Sequence, residues 1–229
     1  MRIRRRLATG MAALASVMLA CTAGAQQPKS ARPASAAAPR APAASAAANP
    51  YPQRFAQVCA ACHGANGRSD MPGTPALAGQ HSFYAVTQLF LFREGRRSNE
   101  AMTAVAKTMT DADLRGFSDF IGTLPPVPPP PPAAPPDPAR MKKGAELAQQ
   151  HKCVFCHGAD FSGGQQVPRI AGQREEYLQA SLQGFKSGKR PGYTMAMGAA
   201  VAEVTPEELD TLAYYAARFP GEAVKPAQK

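Results

Sequence analysis

The sequence predicts an all-α protein made of two tandem helical domains joined by a proline-rich linker. Three observations predict it. One pattern of residues occurs twice, with an offset of 94 residues at its paired cysteines. In both copies apolar residues recur at helical spacing behind helix-start signals, and no alternating strand pattern competes. Between the copies lies "PPVPPPPPAAPPDP", residues 125 to 138, which favours an extended spacer over a packed element.

The chain opens with Arg2, Arg4, Arg5 and Arg6, an uncharged and mostly apolar run, and the small residues Ala23 to Ala25. That pattern predicts a secretory signal peptide over residues 1 to 25. Cys21 falls inside it. Cleavage after Ala25 would remove it, whereas lipid attachment at Cys21 would leave a membrane tether; Met18 and Leu19 before it fit a lipoprotein signal imperfectly. Residues 26 to 50 are mostly Ala, Pro and Ser, have little to bury, and read as a disordered linker. Residues 51 to 124 form the first expected domain, 125 to 136 the spacer, 137 to 220 the second domain and 221 to 229 a tail. Fully extended, the spacer reaches roughly 35 to 40 Å at about 3.1 Å per residue.

The two domains align along their length. "CAACHGANG" pairs with "CVFCHGADF", "PALAGQ" (75 to 80) with "PRIAGQ" (168 to 173), and "YAVTQLFLFREGRR" (84 to 97) with "YLQASLQGFKSGKR" (177 to 190). "MTAVAKTMTDADL" (102 to 114) pairs with "MGAAVAEVTPEEL" (197 to 209). Duplication of one domain explains this register. Asp137-Pro138 predicts a capped helix running up to Cys153. Thr205 with Glu208 is a capping-box signature, and Thr110 with Asp113 is its weaker counterpart. The closing helices carry Leu114, Phe117 and Ile121 in one copy and Leu209, Leu212 and Phe219 in the other.

The formal net charge is +10, which at first suggests a nucleic-acid partner. Its distribution excludes that class. The leader holds four of these charges and residues 26 to 50 hold three, leaving +1 on residues 51 to 124 and +2 on residues 137 to 229. No folded segment is strongly basic.

Four of the five cysteines and two of the four histidines lie in the two Cys-x-x-Cys-His motifs: Cys59, Cys62 and His63, then Cys153, Cys156 and His157. Two thiols at i and i+3 on a helix end can each bond to one vinyl group of a haem, and the next histidine then falls under the iron as an axial ligand. This is the c-type haem attachment pattern. A zinc site would want four good ligands together, a redox dithiol wants a βαβ context, and a disulfide leaves the histidine idle.

Iron in electron carriers often takes methionine opposite histidine. Met102 and Met197 hold equivalent positions, each eight residues before the capping threonine, Thr110 or Thr205. They are the expected sixth ligands, with Met195 and Met109 as fallbacks; Met71 has no counterpart. Pro75 and Pro168 follow His63 and His157 by 12 and 11 residues. Their carbonyls either orient the ligating histidines from behind or the prolines only shape the loop; spacing alone leaves the two readings even. His81 and His151 have no histidine counterpart and read as surface residues. The loops "FREGRR" and "FKSGKR" read first as positive charge at a helix C-terminus, and second as partners of haem propionates or of a docking protein.

Taken together, the doubled Cys-x-x-Cys-His, the "LAGQ" and "IAGQ" turns, the basic loops and the methionines ahead of threonine-capped helices resemble the dihaem cytochrome c4 family over residues 51 to 220. The resemblance implies two cytochrome c class I domains, each around one His/Met haem c, and favours the carbonyl role for Pro75 and Pro168. It also implies a periplasmic carrier taking electrons from a quinol-oxidising bc-type complex or a dehydrogenase and passing them to a terminal oxidase. The proline-rich spacer and the Ala/Pro tail depart from the family pattern. With both axial positions filled, no iron is open to substrate, so the expected activity is electron transfer without turnover. The alternatives are a cytochrome subunit of a membrane dehydrogenase or oxidase, and a dihaem peroxidase.

Overall fold

The structure, a computed structural model, describes residues 49–126, 134–192 and 194–220. The expected signal peptide with Cys21, nearly all of the Ala/Pro-rich segment, residues 127–133 of the spacer and the tail 221–229 lie outside the described residues. Ala48–Lys229 form one unit. Its regular elements are helices, and the one β-bridge among the described residues joins Gly164 to Val167 in a tight turn.

The first repeat contains α1 (Tyr51–Val58), α2 (Ala60–His63), α3 (Ser82–Arg93), α4 (Glu100–Lys107) and α5 (Asp111–Thr123). The second contains α6 (Pro138–Gln150), α7 (Cys153–His157), α8 (Glu175–Lys186), α9 (Ala196–Val201) and α10 (Pro206–Arg218). The capping signals act where the sequence places them. Asp137 accepts from the N–H groups of Ala139 and Arg140. Thr205 and Glu208 close a complete capping box, and Thr110 and Asp113 close an equally complete one. The second box is therefore no weaker in kind, because aspartate at the third helical position still reaches the Thr110 N–H at 3.0 Å.

Each repeat buries its own core. Phe55, Leu89, Met109, Leu114, Phe117 and Ile121 pack together in the first, and Leu147, Phe161, Leu178, Val204, Leu209 and Leu212 in the second. The opening and closing helices meet through a glycine against a tyrosine, with the roles exchanged. In the first repeat Gly116 of α5 receives Tyr51 of α1; in the second Gly144 of α6 receives Tyr215 of α10. A Cβ on Gly116 would lie 1.9 Å from the Tyr51 ring, and one on Gly144 would lie 2.4 Å from Tyr215 Cβ.

The helix expected to run up to Cys153 instead ends at Gln150. Lys152 adopts φ 56°, a left-handed conformation that breaks the helix before α7 starts. The chain thereby changes direction ahead of the second Cys-x-x-Cys-His motif, while in the first repeat Cys59 alone separates α1 from α2.

Candidate functional site

The motif cysteines and histidines sit on the short helices α2 and α7. In α2 the His63 N–H bonds back to the Cys59 carbonyl at 2.9 Å. One helical turn thus separates the thiols and carries the histidine inward. His63 and His157 are buried, Cys59 and Cys153 half-buried, and Cys62 and Cys156 exposed. These four cysteines form no disulfide with one another. Burial pushes the Cys59 thiol up to about 11 and raises Cys153 as well. Among the described residues no group of three or more His, Cys, Asp or Glu side chains is arranged to hold a metal ion by itself. The donor sets are the separate Cys-x-x-Cys-His trios, which fits a porphyrin-bound iron and not a four-ligand zinc site.

Nδ1 of His63 lies 2.9 Å from the Pro75 carbonyl oxygen, and Nδ1 of His157 lies 3.0 Å from that of Pro168. A carbonyl can only accept, so each Nδ1 carries the proton. Burial lowers the pKa of both imidazoles, and the proline carbonyl partly offsets that. A neutral ring protonated on Nδ1 leaves its lone pair on Nε2, the form in which histidine binds a metal.

Met102 and Met197 are both half-buried against the core of their own repeat. The Asn99 side chain accepts from the Met102 N–H at 3.0 Å and fixes the first turn of α4. At the start of the helix bearing Met197 the N-cap residue Met195 supplies no side-chain cap, and the Ala196 N–H donates to Thr194 Oγ1 at the longer distance of 3.4 Å. Of the fallbacks, Met195 is 86% exposed, which removes it from any buried site. Met109 is buried in the core beside Leu114 and Phe117.

The repeats meet through a pseudo-twofold set of hydrogen bonds that sequence reading assigned to no role. The Gln80 side chain bonds to both the N–H and the carbonyl of Arg169, at 3.0 and 2.8 Å. Gln173 does the same to Ala76, at 2.7 and 2.9 Å. Gly79 and Gly172, with φ 74° and 67°, turn the chain so that these glutamines face the other repeat. His81, read above as a surface residue, and Arg174, which holds its position in the second repeat, do comparable work. His81 Nε2 lies 2.9 Å from the Ser162 carbonyl and Arg174 Nη1 lies 3.1 Å from that of Ser69. The role repeats although the residue type does not, which is why a search for matching histidines misses it. His151 is also half-buried, its ring 3.5 Å from Glu208 of the capping box.

The basic loops divide. Arg93 and Lys186 stand in the last turns of α3 and α8, as helix-end charge requires. Arg97 and Arg190 instead turn into the interface. Arg97 donates to Tyr177 at 2.9 Å, and Arg190 donates to Tyr177 at 3.1 Å and to Tyr84 at 3.4 Å. Burial alone would raise Tyr177, but the two guanidinium groups pull it down to about 7. Tyr84 is pushed up to about 12 by burial and by Tyr177 beside it. Among the described residues neither Arg97 nor Arg190 is paired with a carboxylate. The signal for this cluster was the register of both tyrosines and both arginines across the repeats.

Comparison with known proteins agrees with this geometry. The cytochrome c family model matches residues 52–125 and again 141–217. Cytochrome c4 of Thiocapsa roseopersicina is 32% identical over 169 residues, covering 69% of this chain and 85% of that protein. The thiosulfate dehydrogenase electron acceptor of Thiomonas intermedia is 32% identical over 203 residues, covering 82% of this chain and 88% of that protein. The crystal structure of reduced cytochrome c4 from Pseudomonas stutzeri superposes with a TM-score of 0.66 at 26% identity, covering 75% of this chain and 98% of that one. Two matched domains, each with its own Cys-x-x-Cys-His trio, place the chain in the cytochrome c family and, within it, among the dihaem cytochromes c4, which transfer electrons and carry two haem c groups.

Proposed function

We propose that this chain is a periplasmic one-electron carrier whose haems are attached at Cys59 and Cys62 and at Cys153 and Cys156 and ligated by His63 with Met102 and by His157 with Met197. Each haem, when bound, supplies a one-electron Fe(III)/Fe(II) couple. The observation that carries the reading is the doubled contact of a buried histidine with a proline carbonyl, 2.9 Å in one repeat and 3.0 Å in the other. It holds each imidazole in the metal-binding tautomer without any charged group. Asn99 holds Met102 at the start of α4. Arg97 and Arg190, unpaired by carboxylates among the described residues, offer positive charge for the carboxylates of the haems. With His and Met on both irons no position is open to substrate, so the chain carries electrons and has no peroxidase turnover.

The donor in this reading is a dehydrogenase. The Thiomonas intermedia relative, which covers 82% of this chain, is named as the electron acceptor of thiosulfate dehydrogenase. A quinol-oxidising bc-type complex is the other donor class, and a terminal oxidase is the acceptor. Anchoring through Cys21 would keep the carrier at the membrane. The test is the spectrum of the chain matured with export and haem-attachment machinery, denatured in alkaline pyridine and reduced. Two c-type haems per chain are expected; one or none would overturn the assignment of the empty motif. Rapid reduction by thiosulfate dehydrogenase and thiosulfate, against slow reduction by a bc-type complex, would select the donor.

A further inference from the structure

The two interface glutamines do more than hold the repeats together. The Ala76 N–H that donates to Gln173 Oε1 at 2.7 Å belongs to the same peptide group as the Pro75 carbonyl, which accepts from His63. The Arg169 N–H that donates to Gln80 Oε1 at 3.0 Å likewise belongs to the peptide group of the Pro168 carbonyl, which accepts from His157. Both glutamines are more than nine-tenths buried. We infer that Gln173 and Gln80 are crossed positioning residues, each setting, through one peptide group, the hydrogen bond to the axial histidine of the other repeat. This rests on His63 and His157 being the axial ligands proposed above.

The physical route is short. A peptide group is planar and resonance-coupled, so its N–H and C=O cannot tilt independently. Donation from the N–H shifts electron density onto the carbonyl oxygen and strengthens the bond it accepts, by on the order of 10–30% for chained hydrogen bonds. The glutamine Nε2 pins the next carbonyl as well, at 2.9 Å for Ala76 and 2.8 Å for Arg169. A more firmly bonded Nδ1–H makes Nε2 a stronger donor to iron, which favours Fe(III) and lowers the reduction potential. Each repeat therefore lowers the potential of the haem in its neighbour, and separating the repeats removes that influence from both haems.

The experiment uses the full chain with both haems, with haem methyl resonances assigned to each repeat by NMR and followed through a redox titration. Gln173→Met should raise the potential of the first-repeat haem and shift the His63 Nδ1–H resonance, leaving the second-repeat haem near its original value. Gln80→Met should do the reverse. Arg174→Met, which breaks the bond to the Ser69 carbonyl and leaves both proline peptides intact, should move neither potential comparably. Shifts confined to the haem of the mutated repeat, equal shifts of both haems, or the same response to Arg174→Met would each overturn the crossed assignment. His63→Ala separates the two levels of the argument. If it leaves the axial ligation of the first haem unchanged, the ligand reading fails and the inference falls with it. If it removes that ligand while Gln173→Met has no effect, the inference alone fails.

Discussion

Gly116 faces Tyr51 so closely that no side chain fits between them: a Cβ there would lie 1.9 Å from the tyrosine ring. The contact lets α5 lie against α1, with the Tyr51 hydroxyl donating to the Ala112 carbonyl at 2.8 Å. Alanine is a better helix former than glycine by about 1 kcal/mol, so an unobstructed Gly116→Ala would stabilise the helix. Here overpacking should prevail, and the net effect should be destabilisation by roughly 1–3 kcal/mol. Gly144→Ala against Tyr215 should act the same way in the second repeat. Chemical denaturation of both variants checks the sign, and a stabilised Gly116→Ala would contradict the close packing.

Met102→Ala and Met197→Ala should each remove one methionine–iron bond. The far-red charge-transfer band of the oxidised protein should fall to about half in each single variant and vanish in the double, by the one-methionine-per-haem logic of His/Met ligation. The affected haem should drop in potential. Met195→Ala should leave the band intact, since that side chain is 86% exposed. A full band in Met102→Ala would reassign the ligand.

Pro75→Ala keeps the carbonyl that His63 bonds to and removes only the ring. The absorption spectrum should therefore be unchanged, while the freer unfolded chain should lower stability by about 0.4–1 kcal/mol. A spectral change equal to that of His63→Ala would mean that the ring, and not the carbonyl, does the positioning.

Thr110→Ala and Thr205→Ala each break a capping box, and each should cost about 1 kcal/mol, within a range of roughly 0.5–2. Thermal melts of the two variants should give similar losses, because both boxes are complete.

Asp113 links the first box to Arg54, and the hydrogen bond from that guanidinium holds its carboxyl down to about 2. A carboxylate with a depressed folded pKa stabilises above its unfolded value, about 3.9, and the contribution is lost as pH falls through the folded one. The stability difference between the wild type and Asp113→Asn should thus be constant from neutral pH to about 5 and shrink between about pH 4 and 2. A difference that instead changes between pH 6 and 8 would assign it to another group.

The repeat, the helical class, the haem motifs and the cap residues were legible in the sequence because each is local. Cys59, Cys62 and His63 lie within one helical turn, Thr205 reaches Glu208 within another, and a duplicated domain displays its register twice. What lay beyond reach depends on the approach of residues far apart in the chain. Gln80 and Arg169 are 89 positions apart, Gln173 and Ala76 are 97, and nothing near either residue encodes the meeting. His81 and Arg174 looked unrelated because they share only what they do, which is to bond to a backbone carbonyl in the loop after the other repeat's Cys-x-x-Cys-His motif. Arg97 and Arg190 looked like helix-end charge until the packing of the repeats turned them inward. Local chemistry determined which residues are proposed to hold the haems; the tertiary structure alone decided which of them answer to the other repeat, because that depends on which peptide groups the interface brings within hydrogen-bond reach.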